Sequence, residues 1–434
     1  MLKMRKMKDS GIEWIGEIPE GWEITRLKYL ADFEPTCDTS YLTDESKITY
    51  TPMECVKNGG FENRSALYGN LSHTLTPFQN GDIAMAKVTP CFENGNIAIM
   101  DNLFSGFGLG SSELFIFRPK SISTRYFFYW LQNKAFVARA CSTMTGTGGL
   151  KRISPSFIRN CPVHCPSTDE QTKISDYLDA KCSEIDDLLT SVHSSIEEYK
   201  KLKQAVITQA VTKGVRGERE MKDSGVEWIG EIPKEWGRTK IKMIASFFNG
   251  DRTSRYPQPS DFVDAGVAFL TSRNIDSDEV DLSETKYITD DKYKSLSGAK
   301  IQIDDIIFCL RGSVGKCAIN RTLSRGTVAS SLATIRSKDI YPKYLLYFLL
   351  SNIASTQTTI FMNGTCAANL SAENVGNYYI ALPISAEQKE IADYLDAKCA
   401  EIDKLIAKKE QLVKELESYK KSLIYEVVTG KREV

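Results

Sequence analysis

Chemistry has few places to happen in this chain. Three histidines, His73, His164 and His193, are the only imidazoles in 434 residues, which leaves little for general acid–base work. Cys161-x-x-x-Cys165 with His164 between them holds part of a zinc-ligand set, but no second ligand pair accompanies it. Gly312-Ser313-Val314-Gly315-Lys316 lacks the spacing and the following Ser/Thr of a phosphate-binding P-loop. No glycine-rich dinucleotide loop follows a clear strand, and no Asn/Asp-Pro-Pro-aromatic run is present to hold a target amine. Catalysis and bound cofactors are therefore not expected. The polar loops suit binding better. Residues 145–152 read TGTGGLKR, rich in backbone donors, carrying Thr147 and ending in Lys151 and Arg152. Residues 363–369 read NGTCAAN, with Asn363 and Thr365. Lys87 and Arg311 follow Asp-Ile strands, and Arg252, Arg255, Arg273 and Asn274 cluster in the second half. Arginine can fork onto guanine and asparagine onto adenine, while lysine and backbone amides hold phosphate. These are candidate contacts to double-stranded DNA, although taken singly each reads first as an ordinary surface residue.

These loops belong to a duplicated framework. Residues 7–22 read MKDSGIEWIGEIPEGW and residues 221–236 read MKDSGVEWIGEIPKEW, identical at 13 of 16 positions. Further on, DYLDAKCSEID at 176–186 returns as DYLDAKCAEID at 393–403, identical at 10 of 11. The chain is thus two tandem copies of one unit. Between these ends the copies share only landmarks. Asp82-Ile83 matches Asp305-Ile306, Ser111-Ser112 matches Ser330-Ser331, and each of these serine pairs precedes a strand ending in Arg118 or Arg336. Aromatic helices near 126–137 and 344–352 also correspond. Drift after duplication would not spare the ends. The conserved ends point to one kind of partner met twice, and the diverged middles to two different ligands. The second copy has Tyr378 and Leu382 where the first has Cys161 and Cys165, so no metal is expected.

Thr168-Asp169-Glu170-Gln171 has the form of a capping box, as does Ser385-Ala386-Glu387-Gln388. From each, apolar residues recur at steps of three and four until Gly214 or Gly430 ends the helix. Each helix spans roughly 45 residues, or ~65–70 Å at 1.5 Å per residue. The narrow seam calls for a coiled-coil partner, with pairing assigned to Leu178, Ile185, Leu188, Val192 and Tyr199 on the first helix. The assignment on the second is Leu395, Ile402, Leu405, Leu412 and Tyr419. Packing on the helix's own globular part is the other reading. The expected fold is α+β: two similar globular parts, joined by two long antiparallel helices in a coiled coil, with an approximate internal twofold. Chain order divides it at 1–166, 167–215, 216–383 and 384–434. Trp14, Trp22, Trp228 and Trp236 are expected to anchor the N-terminal segment of each copy to its core.

Apolar residues make up 42% and charged residues 26%, which excludes a disordered or collagen-like chain. Eleven scattered cysteines argue against a disulfide framework. No apolar run approaches the ~20 residues of a membrane span, and no signal-peptide core follows the basic start, so a cytoplasmic location is expected. Net charge is −1. The helical stretches are the acidic part, with 11 acids against 8 bases over 168–220 and 11 against 10 over 385–434. That balance permits DNA binding without arguing for it.

Taken together, KDSGIEWIGEIPEGW at 8–22 and its copy at 222–236, DEQTKISDYLDAKCSEID at 169–186, AEQKEIADYLDAKCAEID at 386–403, QAVITQAVTKG at 204–214 and SLIYEVVTGK at 422–431 carry a resemblance over essentially the whole chain. It resembles the specificity subunit of a Type I restriction–modification system. The resemblance implies that each middle segment is a target-recognition domain reading one half of a bipartite, asymmetric DNA site. It implies a helical spacer that sets the gap and docks two methyltransferase subunits, joined by motor-nuclease subunits in the restricting complex. Methylation and ATP-dependent cleavage would then lie in those partners, and whether the complex restricts or only modifies stays open. A self-contained methyltransferase or nuclease, or a protein-only coiled-coil adaptor, are the alternatives.

Overall fold

The computed structural model describes the chain from residue 5 onward, apart from residues 73, 148, 277 and 363–368. The backbone separates into two units, residues 1–192 with 411–434, and residues 193–410. This division cuts both long helices. Each helix half has its apolar face in the core of a globular part, and that burial decides where it belongs.

In the first unit, the repeated N-terminal motif makes a hairpin, Met7–Asp9 against Glu17–Pro19. The central sheet is antiparallel, in the order Ile97–Met100, Asp82–Ala86, Leu114–Pro119, Ala31–Phe33. The strand Asp82–Ala86 is buried along its whole length, so it shows no alternation of polar and apolar residues. The aromatic segment forms two helices, Thr124–Trp130 and Lys134–Ser142, broken where the Asn133 side chain caps the second. Phe127 meets Phe117 edge-on at 5.7 Å, which seats the first of these helices on the sheet. A second sheet orders Arg64–Leu67, Lys47–Thr51, Phe107–Gly110, Thr76–Gln79, with a parallel pair at its centre.

The second unit repeats this plan. The hairpin Met221–Asp223 with Glu231–Pro233 keeps the same register. The central sheet runs Cys317–Ile319, Ile306–Cys309, Leu332–Ser337, Ala245–Asn249. The accessory sheet keeps the parallel pair, Val267–Leu270 with Gly326–Val328. It differs at its edges: Phe262–Val263 is added beyond Lys286–Ile288, and among the described residues no strand takes the place of Thr76–Gln79. The two middles share a core and diverge outward from it.

The long helices run Thr168–Lys213 and Ser385–Val428. The expected capping boxes are not formed. The Gln171 side chain accepts from the Ser123 amide at 2.7 Å and donates to the Pro166 carbonyl at 3.0 Å. Gln388 does the same with Tyr341 and Pro383. These glutamines tie the helix to its globular part. The neighbouring Glu170 and Glu387 accept from the indoles of Trp22 and Trp236, at 2.9 and 3.0 Å, which pins each hairpin to a helix start.

Within the first unit, the early part of the first helix lies antiparallel to the late part of the second. Lys420 reaches both Asp186 oxygens, at 2.6 and 2.7 Å, and Arg432 sits over the Tyr177 ring. Within the second unit, Lys203 reaches Asp403 at 2.9 and 2.6 Å, and Lys409 sits over Tyr199. The same pair therefore recurs with the helices exchanged.

The inward positions differ in part from those assigned from the sequence. Leu178, Ile185, Leu395 and Ile402 are buried, and Val192 and Tyr199 half-buried. Leu188, Leu405, Leu412 and Tyr419 are exposed, Leu188 by 53%. The inward row runs 178, 182, 185, 189, 192, 196, 199, 203 on the first helix. On the second it runs 395, 399, 402, 406, 409, 413, 416, 420, 423, 427. This is a strict heptad row. The correction is one residue each time: Leu189, Ile406, Val413 and Lys420 are the inward positions. Neighbouring residues on a helix point ~100° apart, so a bulky leucine or tyrosine one place early draws the pattern off the row, and a lysine on the row conceals it.

Candidate nucleic-acid interface

In the first unit the candidate loops meet at one end of the central sheet. The amides and carbonyls of Thr145 and Arg152 pair at 3.0 and 2.9 Å, closing residues 145–152 into a loop. Gly146 lies at φ +142°, and a Cβ there would come within 2.3 Å of the Leu150 carbonyl, so glycine is required. Thr89 staples this loop to the end of the strand Asp82–Ala86. Its hydroxyl donates to the Gly149 carbonyl at 2.8 Å and accepts from the Lys151 amide at 2.9 Å. Thr147 and Lys151 are exposed, and Lys87 is half-buried beside the Phe115 ring. Arg152 is not free: it forks onto Glu113 at 2.9 and 2.8 Å. The Arg152 guanidinium holds the Glu113 carboxyl below its ordinary value. Arg152 is thus committed to an internal ion pair, a correction to its reading as a free DNA contact.

The second unit has the same framework with other side chains. The Val88–Arg152 bridge is replaced by an Arg311–Asn369 bridge. Lys87 carbonyl accepts from Ile153, as Leu310 carbonyl accepts from Leu370, both at 3.0 Å. Lys87 is therefore equivalent to Leu310, and Arg311 to Val88. The amide of Lys87 bonds Glu113 carbonyl, as that of Leu310 bonds Ser331 carbonyl, so a serine stands where the first unit has its carboxylate. Arg311 Nε donates to Asn369 Oδ1 at 3.2 Å, and Arg252 Nε donates to the Ser330 carbonyl at 3.3 Å. Partial burial, and then repulsion from Arg311, lowers the pKa of Arg252. Arg255 is exposed, with its Nε near the Thr253 hydroxyl at 3.4 Å.

Two further assignments fare differently. Arg273 is exposed and only loosely paired with Glu284, at 3.9 Å. Asn274 is 1% exposed. Its Oδ1 accepts from the Thr271 amide at 2.8 Å, and its Nδ2 donates to the Asp281 carbonyl and the Thr285 hydroxyl. Every polar atom is used inside the fold, so Asn274 is a turn-capping residue and not a base reader. The Thr-x-x-Asn spacing that signals this was visible in the sequence. Asn363 and Thr365 lie outside the described residues.

Sequence reasoning missed Glu113 and Asp251. Asp251 is 4% exposed. Its oxygens accept from Thr253 at 2.7 and 2.6 Å and from Ser297 at 2.8 and 3.1 Å. Burial pushes this carboxyl up, but those hydrogen bonds outweigh it and hold it well below the usual carboxylate range. It fixes the loop that carries Arg252 and Arg255. The Asp-x-Thr spacing of an Asx turn was the available signal. Among the described residues, no group of three or more His, Cys, Asp or Glu is placed to hold a metal. No helix among them is long and apolar enough to cross a membrane.

The structure is of a duplicated α+β class, with two variable loop edges built on one framework and carried on paired helices. The family described as the Type I restriction modification DNA specificity domain matches residues 19–198 and again 233–415, more than half of the chain. The chain belongs to that family. It is 34% identical over 196 residues to the EcoAI specificity subunit of Escherichia coli, covering 44% of this chain but only 33% of that subunit. It is 24% identical to the MjaVIII specificity subunit of Methanocaldococcus jannaschii, over 95% of this chain and 93% of that one. A chain from a structure on complex assembly and conformational transition of the type I R-M system superposes with TM-score 0.73 at 15% identity, covering 96% and 99% of the two chains. The HsdS subunit from Thermoanaerobacter tengcongensis gives 0.50 at 16%, covering 96% and 98%. At these identities the likeness is one of fold.

Proposed function

We propose that this chain is the DNA-specificity subunit of a Type I restriction–modification complex, acting in the cytoplasm without catalysis of its own. Each globular part reads one half of a bipartite, asymmetric double-stranded DNA site. The paired helices set the gap between the halves and dock two methyltransferase subunits, and motor-nuclease subunits join when the complex restricts. One observation carries this reading: among the described residues the two sheet-edge loop sets share two backbone hydrogen bonds and a bridge at equivalent positions, yet carry different polar groups there. Glu113 and Arg152 in one copy are Ser331 and Asn369 in the other, while Arg311 replaces Val88. Constant scaffolding with exchanged polar groups is what reading two different short sequences requires. The duplicated helix segments, alike at 10 of 11 positions over 176–186 and 393–403, suit two copies of one partner.

The test is single-molecule methylation mapping in cells that carry or lack this protein, followed by exchange of residues 34–150 for another sequence of the same fold. The expected outcome is a bipartite methylated site in which the exchange rewrites one half only. An unchanged site would favour a protein-only adaptor. Methyl transfer to DNA by the purified chain alone would favour an enzyme. DNA binding should fall steeply with salt, by about 10³-fold between 50 and 200 mM if some six phosphates are contacted. A gel-shift titration measures this, and unaltered affinity would count against the reading.

A further inference from the structure

Arg252 and Arg311 flank one turn. The strands Ala245–Asn249 and Ile306–Cys309 lie on either side of Leu332–Ser337, and both end beside the Ser330–Ser331 turn that precedes it. Arg252 leaves one strand end and returns its Nε to the Ser330 carbonyl, at 3.3 Å. Arg311 leaves the other and gives its Nε to Asn369, at 3.2 Å. Each guanidinium is thus held by Nε, and among the described residues its terminal nitrogens have no partner. Neither arginine has an ion-pair partner among the described residues, and both are exposed. The equivalent edge of the first unit holds Glu113 against its arginine, whereas here the position is Ser331. Two guanidinium groups that flank one turn, with no carboxylate paired to either among the described residues, suit an anionic ligand.

We propose that Arg252 and Arg311 form a clamp for a single backbone phosphate of the bound DNA, rather than a base-reading pair. This rests on the DNA-binding role proposed above. A phosphodiester carries the one negative charge that relieves the repulsion, and its two non-bridging oxygens can each take a guanidinium fork. The edge of a neutral base would leave the repulsion in place. The clamp positions the second recognition domain on its half-site and carries no sequence preference. Asp251 supports it by fixing the loop from which Arg252 projects.

The test uses the full chain with its co-expressed methyltransferase subunits and DNA carrying the methylated site found by mapping. Arg252→Ala and Arg311→Ala are each expected to weaken binding to all sequences alike and to reduce the slope of log affinity against log salt by about 1. Arg252→Lys and Arg311→Lys should keep most of that slope, because a point charge suffices for phosphate. Ser331→Glu rebuilds the acidic arrangement of the first unit and should lower the slope without removing either arginine. Thermal unfolding of the arginine variants, both at exposed positions, should match the parent. If the parent binds and the slopes do not move, the clamp is wrong while the DNA-binding role stands. If an alanine variant relaxes preference at one base position, these arginines read a base and the clamp is again wrong. If the parent complex binds no DNA, the role and the clamp fall together.

Discussion

Arg118 forks onto Asp82 through two bonds of 2.8 Å, and the carboxylate it grips is 1% exposed. Arg336 and Asp305 repeat the pair at the same distances in the other unit. Each aspartate also accepts the amide three residues before it, from Gln79 or Gln302, at 2.9 and 2.7 Å. The pair closes the turn entering the strand that leads to the candidate loops. Asp82→Asn should cost roughly 3 kcal/mol in urea unfolding, the low end for breaking a buried ion pair, because Arg118 is 23% exposed and part of its charge stays hydrated. Arg118→Met should cost more, since it strands a buried carboxylate. A loss below ~1 kcal/mol for Arg118→Met would show that the pair is not needed.

The inward row of the long helices separates two leucines of equal sequence appeal. Leu178 is 0% exposed and packs with Leu423, Ile424 and Val427 in the first unit, while Leu188 faces outward. Leu178→Ala should destabilise by about 2–5 kcal/mol. Leu188→Ala should stay within ~0.5 kcal/mol. Equal losses in a denaturant titration would mean that the row is wrongly placed.

What could be read beforehand follows from what repeats. Identical ends fixed the copy number and the two helices, and the Asp-Ile and Arg landmarks that looked faint in sequence prove to be the duplicated Arg118–Asp82 pair. Asp82–Ala86 and Leu114–Phe117 are buried on both faces, so no polar–apolar alternation marks them in the sequence, and the Asp-Ile and Arg landmarks place them instead. The accessory sheet went unread because its strands are short and its register depends on distant pairing, such as Lys47–Thr51 beside Phe107–Gly110. Asn274 was misread and Arg152 overread for one reason. Residue type says what a side chain can bond, while only the fold shows whether a closer partner, here the Asp281 carbonyl or Glu113, already takes it.

His164 makes the first unit sensitive to acid. It is 1% exposed, stacked on Trp22, and its Nε2 lies 2.6 Å from the Val428 carbonyl, which fixes the neutral tautomer as the donor. Nδ1 has no partner. Burial lowers the imidazole from 6.5 to about 4. The unfolded chain therefore binds this proton at higher pH than the folded one, and stability rises with pH between those values. The contribution is complete above about pH 6.5 and falls by roughly 3 kcal/mol as pH drops to 4. The second unit has Ala381 at this place and no such dependence from it. His164→Phe keeps the ring stack and should flatten the pH–stability curve of the chain across that window. Parallel curves for parent and variant would remove His164 as the cause.

If the helices act as a spacer, their length should be written into the DNA site. Inserting seven residues into each helix, between 192 and 196 on the first and between 409 and 413 on the second, adds one heptad and keeps the inward row in phase. Each insertion lengthens its helix by ~10.5 Å at 1.5 Å per residue. Stacked base pairs rise ~3.4 Å, so the unread gap should grow by about three base pairs while both half-site words stay unchanged. A four-residue insertion into one helix alone turns its row by ~40° across the break and should instead lose stability, because the Lys203–Asp403 and Lys420–Asp186 pairs can no longer both form. Methylation mapping of cells carrying the heptad variant reads the gap directly. Continued methylation at the original spacing would exclude the helices as the measure of the site, whatever the loops read.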